Sequence, residues 1–273
     1  MAKKKTKKLE VKESNALIDG GSTLTLSQIK LFLFMLAEVK RSGKKKDYQV
    51  FLSDLIDIEM PKKKGRPSKH SLSTEYNKAN SILKSLQKKM VTIDSKREEG
   101  LLKKRIQLIQ AVTYDPKAKL GYFYFEIHKD LIPYLLDLEK RFTVYDIRNV
   151  MMCKSIYSIR IYQLLKSFEG LGEREITLEK LKSMLGVEKK YKLYGDVKRY
   201  ILLKAQRELK RVSDLYFSFK EVYKGKRVHS ILFTIKLKDQ QRLFDGSPYP
   251  SAERALEDAK KVKTIPYDQW VSS

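Results

Sequence analysis

Arg199, Gln206, Arg207 and Lys210 recur at intervals that put them on one side of a helix, and Lys224, Lys226 and Arg227 surround a single glycine soon after. Long cationic side chains at helical spacing, followed by a cationic turn, have the chemistry of recognition. They neutralise phosphates and reach base edges. Bond-making chemistry is poorly supplied. The three histidines, His70, His128 and His229, are widely separated. No His-x-His pair is available to hold a metal beside a tyrosine nucleophile, and no Gly-x-x-x-x-Gly-Lys-Ser/Thr cradle is present for a nucleotide phosphate. Cys153 is the single cysteine, which forbids an internal disulfide or a cysteine metal cluster. The chain therefore reads as a binder: no enzyme, no metal and no cofactor are expected.

The elements that must position those cations lie between Asp196 and Leu237. Val197, Ile201, Ala205, Leu209 and Val212 form an apolar stripe at steps of three and four, which predicts a helix with its cations on the opposite face. Leu215–Tyr223 is rich in β-branched and aromatic residues, Lys224-Gly225-Lys226-Arg227 reads as a turn, and Val228–Leu237 as the returning strand. Helix, strand, basic tip and strand is the order of a winged helix, whose helix enters a major groove while the hairpin lies over neighbouring phosphates. Lys198, Arg199, Arg207, Lys226 and Arg227 are the candidate DNA contacts of this unit.

The same order occurs earlier. Ser73–Met90 sets Tyr76, Ala79, Leu83, Leu86 and Met90 on one stripe, with Asn77, Lys78, Ser81, Lys84, Ser85 and Lys88 on the other. A short strand at Val91–Asp94, a charged loop at Lys96–Gly100 and two alternating runs, Leu101–Tyr114 and Leu120–Ile127, complete the unit. Lys78, Ser81, Lys84 and Lys88 are its candidate contacts. Few letters are shared, so architecture is what repeats.

Upstream, Val11–Ile18 reads as an extended or short helical lead-in. Thr25 and Gln28 form a capping box opening a core helix to about Lys40. Tyr48–Phe51 is a strand and Ser53 caps a short helix at Asp54–Ile58. Pro61–His70 (PKKKGRPSKH) resembles an AT-hook core, so Lys63, Lys64 and Arg66 are candidate DNA contacts, either inserted in an A·T minor groove or on phosphates; a merely solvated basic loop is the other reading. His128–Leu138 and Thr143–Met152 read as short helices, Ser155 caps Ile156–Phe168, and Thr177 caps Leu178–Leu185, which Gly186 stops. The expected division is a basic arm over 1–10, an N-terminal domain over 11–138, a C-terminal domain over 139–238 and a tail over 239–273 carrying Trp270.

Net charge is +25, from 58 basic and 33 acidic residues, and the tail is nearly neutral. The excess sits on the body, which favours a polyanion, nucleic acid before an anionic membrane. The lysine-rich start is not followed by an apolar segment, and the longest apolar run, Leu31–Ala37, is too short to span a bilayer. A cytoplasmic protein with no membrane partner is expected.

Ser14-Asn15-Ala16-Leu17, the string Lys154-Ser-Ile-Tyr-Ser-Ile-Arg-Ile-Tyr-Gln-Leu-Leu165 and the basic helix with its Gly225 hairpin resemble the iteron-type plasmid replication initiators. The resemblance covers about residues 10–238. It implies an α+β fold of two winged-helix domains in tandem, pseudo-twofold related and joined by a long helix. It further implies binding of double-stranded origin repeats as a monomer, and of an inverted operator as a homodimer through the first domain. Melting of adjacent A·T-rich DNA, recruitment of the host replication initiator and helicase, and autorepression are also implied. The alternatives are a winged-helix transcriptional regulator with no replication role, an origin nicking enzyme disfavoured by the missing histidine pair, and a non-specific basic protein.

Overall fold

The computed structural model describes residues 10–19, 24–43, 45, 47–51, 80–97, 100–113, 122–136 and 142–238. Residues 1–9 of the expected arm, the helix expected over 54–58, the AT-hook-like segment 61–70 and the tail from 239 lie outside these residues. Strand β1 (Glu10–Ser14) leads directly into helix α1 (Asn15–Asp19). Ser14 turns the chain there, its Oγ accepting from the Leu17 amide at 3.2 Å.

Helix α2 (Leu26–Ser42) begins at the predicted capping box: Thr25 Oγ1 accepts from the Gln28 amide, and Gln28 Oε1 accepts from the Thr25 amide. Ile29, Phe32, Leu33, Leu36 and Val39 are buried as the spacing requires, and Leu31, Met35 and Ala37 are buried as well. A helix apolar nearly all round is a core helix, and each fully buried large side chain contributes about 1.5–3 kcal/mol.

Around α2 stand β2 (Tyr48–Phe51), helix α3 over 80–87, and the hairpin β3 (Met90–Arg97) and β4 (Gly100–Gln107). Strands β5 (Ile109–Thr113) and β6 (Tyr122–Ile127) complete a second, three-stranded sheet in the order β2-β6-β5. The single alternating run expected over Leu101–Tyr114 is thus two strands in two sheets. Leu108 divides them, 1% exposed, with its amide donating to the Lys89 carbonyl at 3.1 Å. Met90, expected on the buried stripe of the helix, opens β3 instead and is 52% exposed. A 3₁₀ turn over Lys129–Tyr134 replaces the helix expected at His128–Leu138. Pro133 lacks the N–H that a continuing α-helix would need there.

Residues 143–152, expected to be helical, form strand β7 (Phe142–Asp146) and the single turn α4 (Arg148–Met151). β7 pairs antiparallel with β1, Val11 opposite Tyr145, so its partner is more than a hundred residues away and the local pattern carries no trace of it. Ser155 caps α5 (Ile156–Lys166) through the Tyr157 amide at 3.2 Å. After α5 come β8 (Glu173–Thr177), α6 (Leu178–Leu185), the long helix α7 (194–212), and the hairpin β9 (Leu215–Lys224) and β10 (Arg227–Leu237). The sheet order is β8-β10-β9. β8 escapes a sequence reading because one of its two inward residues is a charge: Arg174 is 6% exposed, and Ile176 3%.

A buried polar cluster joins the two halves. Glu13 Oε1 accepts from Tyr145 Oη at 2.5 Å and from Gln163 Nε2 at 2.7 Å. Arg160 Nη2 donates to the carbonyls of Ile18 at 2.9 Å and Met184 at 3.2 Å, the C-terminal ends of α1 and α6. Arg174 Nη2 reaches Asp19 Oδ1 at 2.9 Å while Nη1 donates to the Leu164 carbonyl. Burial raises the Glu13 carboxyl above its ordinary value and lowers the Arg160 guanidinium; each charge offsets part of the other's desolvation. Cys153 is buried and its thiol is pushed up to about 12, mainly by burial, which leaves it inert.

Candidate nucleic-acid interface

Helix α7 carries the cations. It starts as Tyr194–Val197, passes through a π-helical stretch at Lys198–Leu202 and ends as Leu203–Val212. Val197, Ile201, Leu202, Ala205 and Leu209 are all fully buried. The wider π turn lets the adjacent pair Ile201 and Leu202 both reach the core, and it rotates the outward face relative to a regular helix. That face presents Arg199, Tyr200, Leu203, Lys204, Arg207 and Lys210, all exposed.

The hairpin is bolted to this helix. Gln206 Nε2 donates to the Phe217 carbonyl at 3.1 Å, so Gln206 turns inward rather than lying on the cationic face as its spacing suggests. Glu221 of β9 accepts from Lys198 Nζ at 2.7 Å and from Tyr194 Oη at 2.8 Å. Those two donors hold the Glu221 carboxyl below its ordinary value, and Glu221 raises the Lys198 amine. At the far end Gly225 adopts φ 64° in a two-residue turn, and Lys224, Lys226 and Arg227 stand exposed at the tip. The result is a rigid unit, a cationic helix face with a cationic wing at a fixed offset.

An aromatic ladder supports the start of the helix. Tyr200 stacks on Tyr191 with centroids 5.9 Å apart, and Tyr191 meets Tyr157 edge-on at 6.4 Å. Arg199 and Lys204 lie over the Tyr200 ring at 5.4 and 5.6 Å.

In the first half, α3 buries Leu83 and Leu86 and exposes Ser81, Lys84 and Lys88. Ser85, expected to face outward, is half-buried: its Oγ accepts from Gln28 Nε2 at 2.8 Å and donates to the Ile82 carbonyl. Gln107 Nε2 donates to the Gln87 carbonyl at 2.5 Å and ties the helix to its hairpin. β4 exposes Lys103, Lys104 and Arg105 in succession. Lys104 pairs with Asp130 at 3.0 Å and holds that carboxyl below its ordinary value.

Two models of one family match the chain, "Initiator Replication protein, WH1" over residues 10–166 and "Initiator Rep protein, WH2" over residues 177–235. The chain belongs to the initiator replication protein family. Its fold is two winged-helix domains, WH1 and WH2, one after the other. The crystal structure of the Pi initiator protein in complex with iteron DNA superposes with a TM-score of 0.66 at 19% identity, covering 86% of this chain and 100% of that one. Domains 2 and 3 of RctB give 0.47 at 13% identity over 88% and 95% of the two chains. The WH1 domain of MSBI1.176, a replication protein isolated from a multiple sclerosis patient, gives 0.31 at 19% over 44% and 86%. No functionally curated protein sequence matches.

Within the initiator fold, Arg199 and Arg207 share the outward face of α7, and Lys226 and Arg227 share the wing tip. Lys198 stands apart from them, committed to its ion pair with Glu221. In WH1, Ser81, Lys84 and Lys88 lie exposed on or just after α3, whereas Lys78, Lys63, Lys64 and Arg66 fall outside the described residues. Sequence reasoning passes over Tyr200, Leu203 and Lys204 of α7 and Lys103 and Arg105 of β4. Leu203 stands at regular steps of four between Arg199 and Arg207, but a search for cations passes over an apolar residue on that face and over the neighbouring Tyr200 and Lys204. The run of three consecutive cations, Lys103, Lys104 and Arg105, is a visible signal for the others. Among the described residues no helix is long and apolar enough to cross a membrane.

Proposed function

We propose that the chain is a plasmid replication initiator that binds repeated duplex sequences at its origin, each winged helix laying its helix in a major groove. The observation that carries this reading is the fixed offset between the cationic face of α7 and the wing tip at Gly225, set by Gln206 and Glu221. A base-reading surface needs its backbone-contacting surface held in register, and here side-chain bonds hold it. Arg199 and Arg207 are assigned to the groove, Lys226 and Arg227 to phosphates, and Lys198 to positioning the wing. Ser81, Lys84, Lys88 and Lys78 are assigned to the first groove, and Lys63, Lys64 and Arg66 to an adjacent A·T minor groove. The domain over 11–138 serves dimerisation and DNA binding, and that over 139–238 serves the origin repeats. The Pi initiator protein, which shares the fold and was crystallised on iteron DNA, supports the choice of iteron DNA as ligand.

On this reading, monomers occupy the repeats, help open adjacent A·T-rich DNA and bring in the host replication initiator and helicase. A homodimer represses the gene from an inverted operator, all in the cytoplasm. Selection of random duplexes by the purified protein, at about 0.15 M salt, tests the core of it. One long asymmetric motif spanning two major grooves is expected. Enrichment for A·T alone would overturn sequence-specific initiation. Transformation with the origin and this gene then separates initiator from regulator, because only the initiator supports autonomous replication.

A further inference from the structure

Tyr200 and Leu203 do not fit a purely cationic reading face. Among the residues of α7 they are the exposed large hydrophobics, at 38% and 36%, and they sit one turn apart between Arg199, Lys204 and Arg207. A lone exposed leucine needs no explanation, but this pair is held in place. Tyr200 is stacked on Tyr191 from one side and covered by Arg199 and Lys204. Arg207 Nε donates to the Leu203 carbonyl at 3.2 Å, which folds its guanidinium back along the turn that carries Leu203. Leu203 lies four residues from both Arg199 and Arg207, in the middle of the outward face, and Tyr200 stands one turn before it.

A leucine can neither donate nor accept a hydrogen bond. The one apolar group that base edges offer in the major groove is the C5-methyl of thymine. We propose that Leu203 is a specificity-determining residue that packs on a thymine methyl, with the clamped Tyr200 ring positioning that contact. The proposal rests on α7 entering a major groove, the reading given above.

The test uses the full-length protein and the duplex recovered by selection, with each thymidine replaced in turn by deoxyuridine. That change deletes one methyl and leaves base pairing intact. For the wild type, one position, or two adjacent ones, should weaken binding about three- to tenfold, the scale of one buried methyl. Leu203→Ala should bind the thymidine and deoxyuridine duplexes alike at that position, while Leu203→Met should keep the difference. Alanine favours the helix and the site is exposed, so unchanged thermal unfolding by circular dichroism is expected as the folding control. Two results would overturn the proposal: a wild type indifferent to every replacement, or a methyl effect that survives in Leu203→Ala. A selection that recovers no preferred duplex overturns the groove reading itself, and this proposal with it. A preferred duplex that is blind to the methyl overturns this proposal alone.

Discussion

WH2 and WH1 use the same parts but fasten them differently. In WH2 the three strands form one sheet, β8-β10-β9, and the helix is bonded directly to the hairpin through Gln206, Lys198 and Tyr194. In WH1 the strands are split among a hairpin, a three-stranded sheet and the β1–β7 pair, and α3 is tied to α2 through Ser85 as well as to its hairpin through Gln107. In WH2 the helix–hairpin bonds join residues close in sequence, whereas WH1 includes the β1–β7 pair, whose strands lie more than a hundred residues apart. In WH2 helix and wing are bonded directly to each other, while in WH1 the helix is shared between α2 and its hairpin; both halves also draw on the junction, WH2 through Tyr157 against Tyr191 and Arg174 with Asp19.

The largest effect expected from this difference is at Arg160. Its guanidinium bonds the ends of α1 and α6, and Glu13, its electrostatic partner, is itself buried. Arg160→Ala should lower the unfolding free energy by about 3–5 kcal/mol, the usual cost of leaving a buried charge and polar groups uncompensated. Urea denaturation measures it, and a loss under about 1 kcal/mol would mean that WH1 does not lean on the junction. The same network gives a pH signature. Because the Glu13 carboxyl is raised in the fold, the folded state binds a proton more tightly than the unfolded chain does. Its contribution to stability is lost as pH rises from the ordinary carboxylate range through the folded value. Against Glu13→Gln, the wild type should lose stability with rising pH. Glu221 runs the other way: its lowered carboxyl contributes above the ordinary range, and that contribution is lost as pH falls.

The contrast also explains what could be read in advance. Thr25 with Gln28, the Gly225 turn and the stripe Val197, Ile201, Ala205 and Leu209 are set by neighbours within four residues, so spacing alone exposes them. β7 reads as a helix in the sequence because Thr143 and Tyr145 face inward only once Glu10–Ser14 lies alongside. β8 is invisible there because the partners of Arg174, Asp19 and the Leu164 carbonyl, belong to other elements. The outward face of α7 is half-legible. Arg199, Leu203 and Arg207 appear at regular steps of four, but the inward turn of Gln206 and the pairing of Lys198 with Glu221 need β9.

Effects on binding come next in size. Arg207→Ala should cost about 1–3 kcal/mol at one base-pair position and relax specificity there, whereas Arg227→Ala should weaken all sequences alike and reduce the salt slope by about one. Lys84→Ala places the same question to WH1. If the sharing of α3 between α2 and its hairpin matters, its loss should spread over several positions rather than concentrate at one. Competition binding against a library of single-base variants distinguishes the two patterns.

The smallest effect isolates the wing. Gly225 has φ 64°, and a Cβ built there meets nothing within 4 Å, so the cost of a side chain is purely one of backbone conformation. Left-handed backbone costs an alanine about 1 kcal/mol or more relative to glycine, and asparagine less because it tolerates that region. Gly225→Ala should therefore lower stability by about 1 kcal/mol and Gly225→Asn by roughly half of that. Neither should touch the buried core of WH2. If the offset between wing and helix is set by Gln206 and Glu221 through their bonds along β9, both variants should keep the sequence preference of the wild type. A changed preference in Gly225→Asn would move control of register from the helix contacts along β9 to the tip of the hairpin. The rigidity of WH2 would then lie in the turn and not in the helix contacts.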